Sequence, residues 1–397
     1  MDQDDDQSCL IQLKALYEEI DWDFLFAELE QLLVPLIECW KGQLPNIRDI
    51  FSTGEVDLLL KECILYDISP RSVVDFLIRA GYKDEPPVDE DGKPLLRRTT
   101  PLHDLFIRSA RDAEQEKTRE LVRELFKIYD RFDANHAEER TGVTHFHVAL
   151  SFGFYDLVEK FRELGPDPLL NGNPPLHWAF EKRKEEAFEW LLRNGADPNS
   201  VNEEKSTTLH LICKSKSITI CDWAKTLFEI CKEDGRTVQV NPQDRLLNTP
   251  LHLACSGSPN ILMCSLLLKE GADPSLVNSE GSTALHLACK HRRGQDVAIM
   301  ISETWDDNRR IIQLVNARDR AGNTPLHLAM PCAHKSFIKW LLEKGADPTA
   351  TNATGLNPQH FIFIRVDDDK DSVRKLFEIG QEKDEEMQVD AQDDTGI

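Results

Sequence analysis

Thr249-Pro250-Leu251-His252 is one of eight related tetrapeptides that recur along this chain. The same four residues stand at 100–103 and 324–327, and variants stand at 144–147, 174–177, 207–210, 283–286 and 357–360. The histidines are 30 to 44 residues apart, and three of the seven spacings are 33 or 34. A period near 33 with occasional insertions predicts a repeat architecture.

The residue types of this motif suit the start of a helix. Threonine can cap the first free backbone N–H groups, and proline fits the first helical turn because its missing N–H is not needed there. Leucine faces the core, and histidine can bond to the capping threonine or to neighbouring backbone. We therefore assign a structural role to Thr100, His103, Thr144, His147, His177, Thr207, His210, Thr249, His252, Thr283, His286, Thr324, His327 and His360.

A second pattern follows each motif at a distance. Alanine stands two residues after five of the histidines, where a small side chain lets helices approach closely. Further on come leucine pairs, typical of the buried stripe of a second helix, and then Gly-Ala-Asp-Pro at residues 195–198, 271–274 and 345–348. Glycine suits the left-handed residue after a helix and proline prevents its continuation, so the second helix is expected to end there.

These two motifs together resemble those of ankyrin-repeat proteins, over about residues 98–380. The resemblance implies an all-α solenoid of helix–loop–helix units that are joined by short β-hairpins or turns. It also implies that the chain binds other proteins. It does not identify the partner, because one fold hosts many functions.

The sequence divides into five segments. We expect residues 1–7 to be a disordered acidic start and residues 8–45 to be an N-terminal helical segment. Residues 46–97 are interpreted as a degenerate capping repeat with a turn-rich linker, because terminal repeats are atypical. Residues 98–380 form an array of about eight repeats, of which the last is a cap. Residues 381–397 hold seven acids and one base, which predicts a disordered tail.

Three spacings between motifs clearly exceed 33, after His103, His210 and His286. The extra residues are expected to lengthen the second helix or the segment that leads to the next hairpin. For the last two insertions these segments are Lys232–Leu247 and Glu303–Val315. Insertions at one point of a repeat project from one face, which often binds. The alternative is neutral loop length, which costs little and is favoured here because loops commonly accept insertions.

Composition and charge limit the function. The chain has 70 acidic and 47 basic residues, a net charge of −23, which disfavours nucleic acid and anionic membranes. A basic protein partner is favoured electrostatically, although an acidic surface also serves solubility. The acidic start does not suit a signal peptide, and no apolar stretch reaches the length of a membrane span. Ten cysteines without a C-x-x-C pair favour reduced thiols in a cytoplasmic or nuclear protein that is not secreted.

The chemistry of an enzyme is not evident in the sequence. It contains no G-x-x-x-x-G-K-[ST], G-x-G-x-x-G or H-E-x-x-H motif, and the histidines and cysteines follow the repeat rather than the spacing of a zinc site. We therefore expect no cofactor, no metal and no catalytic activity.

Candidate binding residues lie where the repeats differ from one another. Positions that vary while the framework recurs are free to specify a partner, and in this array they fall at the hairpin tips. An inserted tryptophan is a candidate exposed anchor, since tryptophan is enriched in binding hot spots. The candidate protein-binding residues are Glu203, Glu204, Arg245, Glu280, Trp305 and Arg320.

The sequence favours a non-catalytic scaffold or adaptor, and two alternatives remain open. Acidic ankyrin arrays with an acidic tail resemble the inhibitor-of-kappa-B class, which masks basic segments of Rel transcription factors. This chain departs from that class because its array is longer and no Asp-Ser-Gly phosphodegron stands near its start. The second alternative is a regulatory or targeting subunit of an enzyme complex such as a phosphatase or a ubiquitin ligase, although no F-box or SOCS-box is recognisable.

Overall fold

The computed structural model describes residues 2–19, 29–40, 44–90, 95, 97–109, 115–164, 172–215, 219–305, 307–331 and 335–364. The chain divides into two compact units, residues 1–178 and 179–397. Within the described ranges the regular elements are helices, and β-pairing is limited to three isolated bridges. The prediction of an all-α fold is confirmed. The expected β-hairpins are tight turns, and two of them close on a single antiparallel bridge pair, Ala137 with Thr144 and Val201 with Thr207.

The first unit opens with helical segments that precede the repeat motif. They are the α-helix Asp2–Glu19, the π-helix Leu29–Leu33, the α-helix Val34–Cys39, the 3₁₀-helix Ile47–Asp49, and the α-helices Thr53–Tyr66 and Pro70–Arg79. The repeat helices that follow are Pro101–Ser109, Gln115–Ile128, His145–Ser151 and Tyr155–Leu164, and the helix Pro175–Glu181 contains the boundary between the units.

The second unit contains the remaining repeat helices. In chain order they are Glu185–Arg193, Thr208–Lys214, Ile220–Glu233, Pro250–Cys255, Ile261–Lys269, Ala284–Cys289, Gly294–Thr304, Asn308–Val315, Pro325–Ala329, Lys335–Glu343 and the 3₁₀-helix Pro358–Ile364. A short first helix begins at each motif before residue 357, and a longer second helix follows it; the 3₁₀-helix at the last motif is the final described element. No described helix of either unit is long and apolar enough to cross a membrane.

The motif histidine occupies the third helical position of a capping box, which glutamate usually holds. In the repeat of Thr283 and His286, the threonine side chain accepts a bond from the histidine N–H at 3.4 Å, and the threonine N–H donates to histidine Nδ1 at 3.1 Å. Two free N–H groups at the helix start are thereby satisfied reciprocally. The same box caps the helices that begin after Thr144, Thr207, Thr249 and Thr324.

The other imidazole nitrogen joins one repeat to the next. Because Nδ1 accepts a backbone N–H, the proton of the neutral ring lies on Nε2, which donates to the carbonyl just before the next cap. The Nε2–O distance is 2.9 Å from His252 to Ser282 and 3.1 Å from His286 to Asn323. His210 and His327 bond in the same way to Asn248 and Leu356. Burial lowers the pKa of His286 to about 4, so the ring is neutral in the folded protein near pH 7.

The second helices end where the glycines predict. Gly195, Gly271 and Gly345 have φ of 85°, 93° and 90°, a left-handed conformation that glycine adopts without steric cost. The N–H of Ala272 bonds to the carbonyl of Leu267 at 2.9 Å, the long bond of a Schellman motif. The alanine after each of these glycines is buried, so the segment that ends each second helix also packs into the core.

The core lies between consecutive helix pairs. The leucine pairs of the second helices are at most 5% exposed, and the alanines two residues after the motif histidine are at most 2% exposed. The buried leucines are Leu191, Leu192, Leu267, Leu268, Leu341 and Leu342, and the alanines are Ala149, Ala179, Ala254, Ala288 and Ala329. Each fully buried leucine contributes about 1.5–3 kcal/mol relative to an exposed one.

The insertions take two forms. The first two lengthen second helices, since Gln115–Ile128 and Ile220–Glu233 have 14 residues each where Glu185–Arg193 has nine. In the third, Glu303–Val315 holds an additional helix, Asn308–Val315, which the sequence analysis did not anticipate. Asp307 caps it, and Ile311, Leu314 and Val315 are its buried face.

The N-terminal helix corrects one expectation. Residues 2–7, predicted to be disordered, belong to the helix Asp2–Glu19. Within segment 46–97, Thr53–Tyr66 has a capping box of Ser52 and Glu55. The tail 381–397 lies outside the described residues.

An ion-pair cluster secures the end of the linker in the first unit. Arg98 Nη1 donates to both carboxylate oxygens of Asp84, at 2.9 and 3.1 Å, and its Nε donates to Asp57 at 2.9 Å. Tyr129 donates to the other oxygen of Asp57 at 2.6 Å. Burial raises the pKa of Asp57, while Arg98 and Tyr129 oppose that rise. The linker therefore joins the first repeat through a buried network.

Candidate protein-binding groove

Side-chain oxygens shape the tips of the hairpins in the second unit. Asn278 Oδ1 accepts from the N–H groups of Glu280 and Ser282, at 2.9 and 3.0 Å, and closes the tip into a tight turn. Asn and Asp favour such turns because their side chains bond to backbone two residues on. Asn202, Asp244, Asp319 and Asn352 do the same in their own tips.

Neighbouring tips are hydrogen-bonded to one another. The N–H of Arg245 donates to the carbonyl of Glu204 at 3.0 Å, and that of Arg320 donates to the carbonyl of Glu280 at 2.8 Å. Ser279 to Leu246 and Ala353 to Ala321 give two further bonds of 2.8 and 2.9 Å. Four bonds across five tips hold the described tips of this unit side by side as one edge.

This close approach explains one of the tip glycines. Gly322 has φ of 76°, and a Cβ added there would lie 2.7 Å from the backbone nitrogen of Ala353. Only glycine provides both the left-handed conformation and the missing side chain.

The candidate residues at the tips are exposed, and the structure brings some of them together. Glu203, Glu204, Arg245, Glu280 and Arg320 all lie on the surface of this edge. Arg245 Nη1 is 3.7 Å from Glu204 Oε1, an exposed ion pair. Such a pair is worth little in stability, but it neutralises part of the charge that the sequence assigned to binding.

Trp305, predicted from the sequence as an exposed anchor, has a neighbour within its own insertion. It follows the helix Gly294–Thr304 and is half-buried. The guanidinium of Arg310, in the inserted helix, lies 4.1 Å from its ring centroid. This cation–π contact gives Trp305 a structural partner within its own insertion.

A groove in the second unit extends from the hairpin tips along the first helices to the loops that follow them. Leucine follows the motif histidine in four repeats, at Leu211, Leu253, Leu287 and Leu328, and each of these side chains is half-buried. Two adjoining cavities of about 380 and 290 Å³ share Leu253 and Ser256. Leu262, which is 72% exposed, lines the larger cavity, and Leu246, which is 62% exposed, lines the smaller. The groove therefore has an apolar floor that remains partly open to water.

Basic side chains border the same groove. Lys214 and Arg293 line the larger cavity, and Lys290 and His291 line the smaller one, together with Glu280. We call Lys214, Lys290 and Arg293 the basic rim; all three are exposed. Burial, with the charge of Lys290, lowers the pKa of His291, which favours its neutral form.

These groove residues are not among the candidates predicted from the sequence, although the sequence contains signals for them. The leucine floor follows the motif histidine by one position, and the run Lys290-His291-Arg292-Arg293 is a basic cluster in an acidic chain. What could not be predicted is that the loop after one first helix brings Arg293 to the same cavity as Lys214 of an earlier repeat.

The described cysteines are buried for the most part. Cys255 and Cys264 have their Sγ atoms 3.7 Å apart in the core, and a hydrogen bond between them, with burial, raises the pKa of Cys255 well above its ordinary value. Thiols of this kind are poor nucleophiles and poor metal ligands. No group of three or more His, Cys, Asp and Glu side chains among the described residues is arranged to hold a metal ion.

The family model for ankyrin repeats matches this chain in three copies, over residues 110–202, 176–275 and 258–352. Among curated proteins, the chain is 32% identical over 232 residues to mouse Ankyrin repeat and SOCS box protein 16, covering 56% of the chain and 47% of that protein. It is 30% identical over 207 residues to human Transient receptor potential cation channel subfamily A member 1, covering 50% of the chain and 18% of that protein.

A third relative is rat NF-kappa-B inhibitor alpha, which is 31% identical over 151 residues, 38% of the chain and 45% of that protein. In each of these three comparisons the chain spans less than half the length of the relative. The similarity therefore concerns the repeats and not the whole proteins.

Proposed function

The chain belongs to the ankyrin-repeat family, and we propose on that premise that it is a non-catalytic scaffold that binds a partner protein in the groove of its second unit. Proteins of this family bind other proteins, and the matches indicate no enzyme family. The observation that carries the proposal is the half-buried leucine floor beneath a continuous edge of tips. Concave sites lined by apolar side chains with a few polar groups are the usual place for a ligand to bind.

The floor and the tips supply different parts of the binding energy. Burying the open faces of Leu246, Leu253 and Leu262 contributes about 25 cal/mol per Å² of apolar surface. The tip side chains differ between repeats, so they discriminate among partners more than they add affinity. Because the tips are bonded to one another, little backbone ordering opposes binding.

The test is affinity purification of the full chain with identification of captured proteins by mass spectrometry. Leu246→Asp places a charge on an exposed tip side chain in the groove, and we expect it to abolish capture of the specific partner. Ile312→Asp makes the same change at a side chain that is 47% exposed on the inserted helix and should leave capture intact. Equal capture by both variants, at unchanged melting temperatures, contradicts the proposed location.

A second candidate function is the masking of a basic partner. The net charge of −23 and the similarity to NF-kappa-B inhibitor alpha favour it. If this function is correct, capture of the partner should fall steeply as the salt concentration rises, and removal of residues 381–397 should weaken that capture. A role as a subunit of an enzyme complex, and a cytoplasmic or nuclear location, stay predictions from the sequence.

A further inference from the structure

The basic rim carries three positive charges without a carboxylate partner in the part of the chain that the structure describes. The side chains of Lys214, Lys290 and Arg293 are exposed and make no ion pair with a described residue. Some exposed cations elsewhere in the second unit do face a carboxylate, as Arg193 does Glu233 at 3.3 Å and Lys339 does Glu343 at 3.7 Å. In a chain with 70 acidic and 47 basic residues, the walls of these two cavities are locally basic, because Glu280 is the one carboxylate among the residues that line them.

Apolar side chains lie between these cations. The larger cavity has Lys214 and Arg293 in its wall together with Leu253 and the exposed Leu262. The smaller cavity shares Leu253 and has Lys290 in its wall. A ligand that fills both cavities therefore meets positive charge at the rim and leucine at the floor.

We propose that this groove binds an extended acidic segment of a partner protein, with carboxylates on the basic rim and apolar side chains on Leu253 and Leu262. The inference rests on the proposed function and adds the chemistry of the ligand. Local charge decides recognition here, because salt screens exposed charges beyond about 8 Å. The acids of distant helices therefore do not cancel the field of the rim. Glu280 is the carboxylate that lines the smaller cavity, and it opposes such a ligand.

The first experiment measures binding of a fluorescein-labelled peptide, four repeats of Asp-Leu-Glu, to the full chain by fluorescence anisotropy in about 0.1 M salt. Matched probes carry Asn-Leu-Gln or Lys-Leu-Arg. We expect the acidic probe to bind at least tenfold more tightly than the neutral one, since each exposed ion pair contributes about 1.4- to 5-fold. Preference for the basic probe, or no preference, overturns the proposal.

The second experiment places the binding site. A triple variant reverses the charge of the basic rim, with Lys214→Glu, Lys290→Glu and Arg293→Glu. It should bind the acidic probe at least tenfold more weakly than the wild type does. The control is a second triple variant, Lys232→Glu, Lys269→Glu and Arg309→Glu, which changes the net charge by the same amount at exposed positions of second helices and of the insertion. It should change the affinity for the acidic probe less than twofold. Equal losses in the two triple variants mean that only net charge matters, which overturns the assignment of the groove. Glu280→Gln should tighten binding about two- to fivefold.

The third arm separates the partner from the chain itself. Residues 381–397 carry seven acids and could compete for the rim as an attached ligand. A chain that ends at residue 380 should bind the acidic probe within twofold of the full chain. A gain above fivefold assigns the rim to this segment and overturns the proposal of an external peptide. If the acidic probe fails while Leu246→Asp still abolishes partner capture, the ligand chemistry is wrong and the proposed scaffold function stands.

Discussion

His286→Gln tests whether the motif histidine must be neutral for the repeats to hold together. Glutamine is a natural third residue of a capping box, so it keeps the bond to the N–H of Thr283. It does not titrate, and it fits the bond to Asn323 less well than imidazole, whose Nε2 lies 3.1 Å from that carbonyl. Near pH 7.5 we expect the variant to be about 1 kcal/mol less stable, the usual worth of such a bond.

The sign of the pH effect follows from the lowered pKa. The pKa of His286 is 6.5 unfolded and about 4 folded, so below pH 6.5 the unfolded chain takes up a proton that the folded chain does not. The stability gained from the neutral ring is present above pH 6.5 and is lost as the pH falls, until the loss levels off near pH 4. Between about pH 7.5 and pH 5 this one histidine removes about 2 kcal/mol from the free energy of unfolding. The glutamine variant does not lose this amount.

The measurement is urea unfolding followed by circular dichroism at several pH values between 7.5 and 5. The stability curves of wild type and His286→Gln should cross, with the variant about 1 kcal/mol more stable at pH 5. His291→Gln, at a half-buried histidine without the inter-repeat bond, should follow the wild type more closely. Parallel curves for wild type and His286→Gln would show that this histidine does not contribute to the pH dependence of stability. They would contradict the lowered pKa of a neutral His286 in the folded protein.

Two further predictions concern the framework. Arg98→Met leaves two aspartates in a buried site without their cation, and it should lower the free energy of unfolding by about 3–5 kcal/mol; changing both aspartates to asparagine in the same chain should restore part of this loss. Gly294→Ala would place a Cβ 2.0 Å from the carbonyl oxygen of Ala288 and should cost about 1–3 kcal/mol, measured as a lowered melting temperature. Gly54→Ala, where no atom lies within 4 Å of the added Cβ, is its control, and an equal effect of both substitutions refutes the packing argument.

Much of the fold follows from local residue chemistry. Threonine before the first helix and glycine after the second fix where each helix begins and ends, and these signals involve residues close together in sequence. The inserted helix Asn308–Val315 was missed because Glu303–Val315 was expected only to lengthen the second helix or the segment that leads to the next hairpin, although Ile311, Leu314 and Val315 have helical spacing. The helix that begins at Asp2 was missed because composition was weighed above the favourable placement of acids at a helix start.

The binding site was less predictable, for a physical reason. Variation between repeats identifies exposed tips, and the structure places Glu204 and Arg245 there, but it also pairs them with each other. Trp305 has a local cation as its partner, Arg310, which lies five residues further along the chain in the inserted helix. Whether a charged or aromatic side chain is available to a ligand depends on neighbours that the repeat period does not reveal.

The groove and the net charge lead to opposite expectations about the partner, and the distance dependence of electrostatics decides between them. Net charge governs the field far from the protein and therefore the rate of encounter. Affinity depends on the charges within a Debye length of the ligand, and for a ligand in this groove they include Lys214, Lys290, Arg293 and Glu280, which line the two cavities. A partner that is basic overall and presents one acidic, leucine-containing segment is attracted by the net charge of the chain and also matches the local charge of the groove. Its association rate should fall with salt through attraction to the whole chain, and its dissociation rate should rise on reversal of the basic rim. A partner whose dissociation is insensitive to the rim, while its association remains salt-dependent, binds elsewhere on the array.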